Sequence, residues 1–311
     1  MQKKLLVIAL AAIGAVGSAQ ATAVADSVDL VTNFRFLTSA GAVLDASAFS
    51  LLAFQDSTNL NPSLNGAFNP YTNTVTTGPL PLQVQTLSGP FVVPTFGSYI
   101  PGVPVPSADG ARAASSLNGD PINHLPNPQP IGANASTEAL AQLLNPGVAN
   151  SSSNIGLIAT VNFVLGTSQA ITIDFNALMH LGVYLDSLFS ANAANALTFD
   201  LVNQTTGGNN VFHFAPDGVL NAAAGETSDP CNLQASVGVI GPGSAVADCN
   251  AHYSANTGIL TAANQYTFTI GQQNRADVLV SRVPEPSSLL LAGIALVGLG
   301  FSARRKHASG G

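Results

Sequence analysis

Tryptophan is absent from this chain, and lysine and arginine together number nine in 311 residues. Charged residues make up 8% of the sequence, against about 25% in an average soluble domain. Five of the nine cations, Lys3, Lys4, Arg304, Arg305 and Lys306, sit at the two ends. Between Gln20 and Ala303 only Arg35, Arg112, Arg275 and Arg282 face 16 carboxylates, a formal balance of −12. Phosphate contacts need clustered Lys and Arg, so nucleic-acid partners are excluded. From Ala113 to Asn274 there are 162 residues without one Lys or Arg. No guanidinium or ammonium is available there to clamp a phosphate, nucleotide or substrate carboxylate. No GxSxG elbow, HExxH helix, P-loop or EF-hand loop occurs. The expectation is a protein that is not an enzyme and uses neither cofactor nor metal.

What fills the chain is apolar and uncharged polar. Apolar residues are 46% and mean hydropathy is +0.32, enough for a core, with Asn, Ser, Thr, Ala and Gly making up much of the rest. The ends are organised differently from the body. Lys3-Lys4 precede a 12-residue apolar run, Leu5 to Val16, and the small-residue site Ala19-Gln20-Ala21. That order is a secretory signal peptide over residues 1–21, with Ala23 and Ala25 as alternative cleavage positions. At the other end Pro284-Glu285-Pro286 precedes an uncharged stretch of 17 residues, Ser287 to Ala303, and then Arg304-Arg305-Lys306. Physically this is a stop-transfer element at the lower edge of bilayer-spanning length. Its basic flank stays cytoplasmic and the rest lies outside the inner membrane. Two prolines hold the tripeptide extended, the form a protease cleft reads.

Proline-Glu-Pro, a short apolar helix and a basic terminus, in that order, resemble the PEP-CTERM sorting signal of Gram-negative bacteria. The resemblance covers about the last 25 residues and describes nothing of the body. It implies Pro284, Glu285, Pro286, Arg304, Arg305 and Lys306 as the sorting motif. It further implies transient membrane insertion through residues 287–303, and an inner-membrane exosortase as processing partner. The protein is then an inner-membrane-tethered precursor delivered to the outer surface or extracellular matrix. Some proteins of this class act in floc or biofilm matrices with exopolysaccharide. The alternative for the same segment is a permanent tail anchor.

The body divides by composition into an N-terminal β segment (22–59), a Pro-rich segment (60–135) and a β-rich segment (136–282), followed by the sorting signal (283–311). Phe34 and Phe36 share one strand face opposite Arg35. Residues 46–55 are ambiguous between strand and short helix. Between Leu60 and Pro130 lie 13 of the 19 prolines. At that density regular central strands are not expected, and irregular extended segments are. Ser136 or Thr137 can cap a short helix through Leu144. Strands are expected at 157–165, 170–175, 196–202, 210–214, 232–240, 264–270 and 277–281. A helical spacing of Leu178, Leu181, Leu185 and Leu188 competes with a strand spacing of Met179, Leu181, Val183 and Leu185, and the helix is preferred. The fold class is mainly β, an antiparallel, jelly-roll-like β-sandwich with a Pro-rich irregular segment and hydrophobic helices at both termini.

Cys231 and Cys249, with 17 residues between them in an exported chain, read as a disulfide, contributing about 3 kcal/mol. His180, His213 and His252 match no metal spacing and read as solvated or satisfied histidines. Asp174 and Asp200 each sit between apolar neighbours, which points them to solvent rather than into a glycosidase pocket. Asp186, Glu226 and Asp229 have no assigned place. Asp217-Gly218 and Glu226 to Asp229 are where a calcium site would be built, the alternative being polar turns. Asn134, Asn150 and Asn203 begin sequons that are incidental in a bacterial protein. The functional expectation is a non-enzymatic surface or matrix protein associated with exopolysaccharide or biofilm. The alternatives are a lectin-like carbohydrate-binding module, with or without calcium, and, third, a secreted hydrolase. Exposed Tyr184 and Tyr253 beside Asn or Asp clusters would favour the lectin. Close buried carboxylates or a His–Asp cluster in a cleft would favour the hydrolase.

Overall fold

Alternation is plainest in Gln265–Val280, where Tyr266, Phe268, Gln272, Asn274, Ala276, Val278 and Val280 are buried and share one parity. A strand with one face turned inward needs that period of two. The computed structural model describes residues 22–75, 82–89, 109–123, 132–186 and 189–280. Their strands are β1 (Ala23–Leu37), β2 (Phe49–Leu60), β3 (Ser63–Leu64), β4 (Ala67–Phe68), β5 (Tyr71–Val75), β6 (Leu82–Ser88), β7 (Gly110–Asn118) and β8 (Ala133–Leu143). They continue with β9 (Gly147–Leu165), β10 (Gln169–Leu185), β11 (Phe189–Asn203), β12 (Asn209–Phe214), β13 (Glu226–Ser228), β14 (Ser236–Ile240), β15 (Gly243–Leu260) and β16 (Gln265–Val280). Among the described residues only two short 3-10 turns, Ala46–Ala48 and Ala222–Ala224, interrupt them. The fold is mainly β, in two antiparallel sheets.

The first sheet runs β13-β15-β10-β1-β8-β7-β6; the second runs β12-β11-β16-β9-β2-β5, with β14 on β11 and the β3–β4 hairpin on β9. Each sheet combines strands from residues 22–59, 60–135 and beyond 136. A single hydrophobic cluster draws side chains from both. The described residues, which end at Val280, form one compact unit. The expected terminal helices, and the membrane segment 287–303, lie outside the described residues. Among the described residues no helix is long and apolar enough to cross a membrane.

A bulge at Asn33 decides how β1 serves both ends of the core. Up to Val31 the odd-numbered residues face the second sheet. Asn33 takes a positive φ of 56°, the register with β10 shifts between Thr32 and Arg35, and Phe34 and Phe36 then face inward. One extra residue inverts the parity of the remainder of the strand. Phe34 and Phe36 are buried and Arg35 points away, as their alternation requires.

Three local expectations are overturned. The helix from Ser136 or Thr137 is β8, an interior strand between β1 and β7. Both of its faces are buried, so it shows no polar side, and cross-strand pairing overrides a weak capping signal. The helix preferred over 177–189 is the second half of β10; Met179, Leu181, Val183 and Leu185 face the core while Leu178 is exposed. The Pro-rich segment contains β5, β6 and β7, and β7 is an interior strand. Its described prolines, Pro62, Pro70 and Pro121, lie between strands. Proline thus avoids the ladders residue by residue, and the average over the segment hides the strands. The ambiguous 46–55 resolves into the 3-10 turn and the start of β2. The expected strands at 264–270 and 277–281 are one strand, β16.

Candidate functional site

The 3-10 turn Ala222–Ala224 ends in Gly225 at φ 92°, and a Cβ there would fall on the carbonyl of Asn256. This close approach lets the amide of Asn256 donate to the Gly225 carbonyl at 2.7 Å and ties the turn to β15. Between the turn, β12 and the Asn256–Gly258 bend lies an open groove of about 830 Å³, lined among others by Asn210, His213, Asp217, Asn221, Glu226 and Asn256. Its carboxylates are engaged with main-chain amides. Glu226 accepts from the Asn221 amide and Asp217 from that of Val219 at 2.9 Å. Below the rim, Asp229 accepts from the amides of Asp217 and Gly218 at 3.1 and 3.2 Å. Burial pushes the Asp229 carboxyl above the usual carboxylate range, and those two amides offset part of the shift.

Asp217 and Asp229, twelve residues apart, are therefore neighbours. Glu226 belongs to the same loop but holds a different amide. Among the described residues no three His, Cys, Asp or Glu side chains assemble as a metal site.

Each histidine of the described residues meets an aspartate. His213 Nδ1 lies 2.8 Å from Asp200 at the groove, with both side chains partly exposed. His180 Nδ1 lies 2.5 Å from Asp248 across β10 and β15. His252 Nε2 lies 2.7 Å from one oxygen of Asp174, whose other oxygen accepts from Arg35 at 2.6 Å. Asp174 is thus not a free solvent-facing carboxylate. Register puts it beside Arg35 on the outer face of the first sheet, where it joins three strands. Asp186 takes the amide of Thr22 at 2.6 Å. The sequon side chains of Asn134, Asn150 and Asn203 are hydrogen-bonded within the fold.

Cys231 and Cys249 are joined, with Cα atoms 6.2 Å apart. The bridge closes the loop carrying Asp217, Glu226 and Asp229 onto β15. The Tyr253 hydroxyl sits beside both sulfurs and donates to the Cys231 carbonyl at 2.9 Å. Burial drives this phenol's pKa far up. Tyr253 is wholly buried, whereas Tyr184 is exposed on the outer face of the first sheet.

Sequence reasoning misses two charged clusters. On the outer face of the first sheet Arg112 pairs with Glu138, both fully buried. Burial raises Asp26 in the same row to about 7, an effect the nearby guanidinium opposes. Burial also lowers Arg112 to about 10, with Asp26 opposing the shift. Between the sheets Asp29 is raised to about 7 by burial, with the side-chain amides of Gln272 and Asn195 offsetting part of the cost. In the sequence only Asp29 and Arg112 carry a trace of this, each lying between two apolar neighbours.

A family model described as the PEP-CTERM protein-sorting motif matches residues 282–306. The chain carries a PEP-CTERM sorting motif. The match includes Pro284, Glu285, Pro286 and the Arg304-Arg305-Lys306 terminus, so the protein is an exported precursor sorted by exosortase. No curated protein and no solved structure matches the chain.

Proposed function

We propose that this PEP-CTERM protein is a non-enzymatic component of the outer surface or extracellular matrix, associated with exopolysaccharide. One observation carries the reading. A sorting motif for export is joined to a β body whose groove is bordered by amides and by carboxylates already engaged in holding its loops. Neutral sugar hydroxyls suit such a surface, and so does divalent-cation bridging to an acidic polysaccharide. The two sheets sharing one core support a jelly-roll-like β-sandwich as its frame. The amide-rich groove also favours the second reading, a lectin-like module. Exposed Tyr184 agrees with that reading, and buried Tyr253 does not. The His213–Asp200 pair beside the groove is the feature a hydrolase would use.

The test begins with intact-mass analysis of released protein, which should start near Thr22 and end near Pro284-Glu285-Pro286. Retention of Arg304 to Gly311 overturns the processing. A deletion strain should lose aggregate or biofilm cohesion with metabolism unchanged, and the full-length gene should restore it where a form truncated after Ser281 does not. Turnover of a polysaccharide or ester by purified mature protein, abolished in His213→Ala, overturns the non-enzymatic reading.

A further inference from the structure

Strand β15 pairs with β10 along its whole length, from Gly243 opposite Leu185 to Leu260 opposite Gln169. Among the described residues its other edge is paired only near Ser254 and Ala255, by β13, and Ser228 reaches the His252 carbonyl at 2.8 Å. Among the described residues nothing pairs with that edge from Gly243 to Ala251. The register there is regular, since the only irregularity between β15 and β10 falls between Ala170 and Thr172. Sheet edges are normally protected by Lys, Pro, bulges or shortness. This one has no Lys, Arg, Pro or bulge, and Asp248 is its single charge. That carboxylate is hydrogen-bonded to His180. Val246, at 53% exposure, lies near the middle of the edge, and Ile240, at 93%, lies in β14, just before it in the chain.

We propose that the open edge Gly243–Ala251 is a self-association surface, pairing antiparallel with the same edge of a second copy of this chain. An antiparallel edge is complementary to itself through a two-fold axis, so one patch serves both partners. With the axis at Val246, Asp248 of each copy falls opposite Ser244 of the other, and the two Val246 side chains meet. Like charges directly opposed across strands would be destabilising, and this register avoids them. An acidic peptide or a basic partner would find one carboxylate here, already hydrogen-bonded, whereas a second copy supplies matching main-chain donors and acceptors. The inference stands whether or not the groove takes a glycan.

Sedimentation equilibrium on the secreted protein tests it, with Val246→Lys as the disrupting variant. Ile259→Lys is the control, being 81% exposed on the same strand but outside the open edge. The wild type should form a reversible dimer. Val246→Lys should weaken it roughly tenfold or more, about 1.4 kcal/mol, at unchanged melting temperature, while Ile259→Lys leaves it within about twofold. Amide exchange of the wild type should slow over 243–249, and not over 265–280, as concentration rises. A protein monomeric at every concentration overturns the proposal. So does a dimer insensitive to Val246→Lys, one equally weakened by Ile259→Lys, or one without added protection at this edge.

Discussion

The layer between the two sheets has an aromatic end and a small-polar end, built by the same strands. At one end Phe34, Phe175, Phe199, Phe214 and Phe268 pack with ring centroids 4.8–6.4 Å apart. Along the same strands toward the other end come Ala25, Ser27 and Asp29 of β1, Ala191 and Ala193 of β11, and Gln272, Asn274 and Ala276 of β16, all buried. Ser151 donates to the Arg112 carbonyl, Ser153 to that of Ala114 at 2.7 Å and Ser27 to that of Ala194 at 2.7 Å. Asn274 ties Thr137 to Ser27. One end is held by dispersion and area burial. At the other, side chains are short enough that a hydroxyl on one sheet reaches the main chain of the other, so directional bonds replace bulk. A sequence with 6% aromatics can thereby close two long sheets.

The largest expected effect breaks the aromatic end. Phe199 contacts the rings of Phe34, Phe175, Phe214 and Phe268, and Phe199→Ala should cost about 3–5 kcal/mol, read as a fall in urea midpoint at constant m. At the other end the damaging change is the reverse one. Ala193→Leu should cost about 1–3 kcal/mol by overpacking, whereas Ala193→Gly should cost less than Phe199→Ala. If Ala193→Leu were neutral, the small-residue end would be loosely packed and the contrast would fail.

That contrast also explains what can be read in the sequence. Strand pattern is legible where large residues alternate with polar ones, in Ile171, Ile173 and Phe175 or in Tyr266, Phe268 and Ile270. It is illegible where both faces carry small or polar residues. β15, rich in Ala, Ser and Asn, gives no strand signal at all. β16 reads as two strands because Gln272 and Asn274 face inward. In β8 both faces are buried, so polarity cannot mark a side. The sorting motif, being a linear signal, is legible without any fold, and so is the disulfide. The groove is not, because its rim is assembled from loops that only the Cys231–Cys249 closure and β-pairing bring together. Asp217 and Asp229 stand out in the sequence as acidic turn residues, but their shared geometry does not.

The second expected effect concerns Asp29, the one carboxylate placed between the sheets at the polar end among the described residues. Its folded-state pKa of about 7 lies above the unfolded value of about 3.9. The folded state then binds the proton more tightly, so this contribution is complete below about pH 4 and is lost as pH rises toward 7. Asp26, raised to about 7, and Asp56, raised to about 6, act in the same direction. Stability should therefore decline between about pH 4 and pH 7. Asp29→Asn, which keeps the shape without the charge, should stabilise at pH 7 and make the decline shallower without abolishing it. Melting temperatures of both proteins across that range decide the point. An unchanged slope in Asp29→Asn would mean that the carboxyl titrates normally and that the polar end is wet.

The smallest effect tests whether the cross-sheet hydroxyls hold the small-residue end or merely occupy it. Ser153→Ala removes the bond to the Ala114 carbonyl while leaving the β7–β8 ladder and its register in place. Since that carbonyl has a second lone pair in the ladder, the expected cost is that of one net hydrogen bond, about 1 kcal/mol. Ser153→Val restores the lost volume without a donor. If fit alone mattered, Val would match or exceed the wild type; if direction matters, Val should be no better than Ala and should carry an added packing cost. Coupling supplies the sharper measure. Combined with Ser151→Ala, on the same face of the same strand, the losses should exceed their sum if the pair jointly fixes the distance between the sheets, and should add within about 0.5 kcal/mol if each acts alone. The same double cycle between Ser153→Ala and Phe199→Ala should be additive, because no described contact links Ser153 to the stacked rings. Non-additivity there would show that the aromatic and polar ends set one another's spacing through the rigid strands they share.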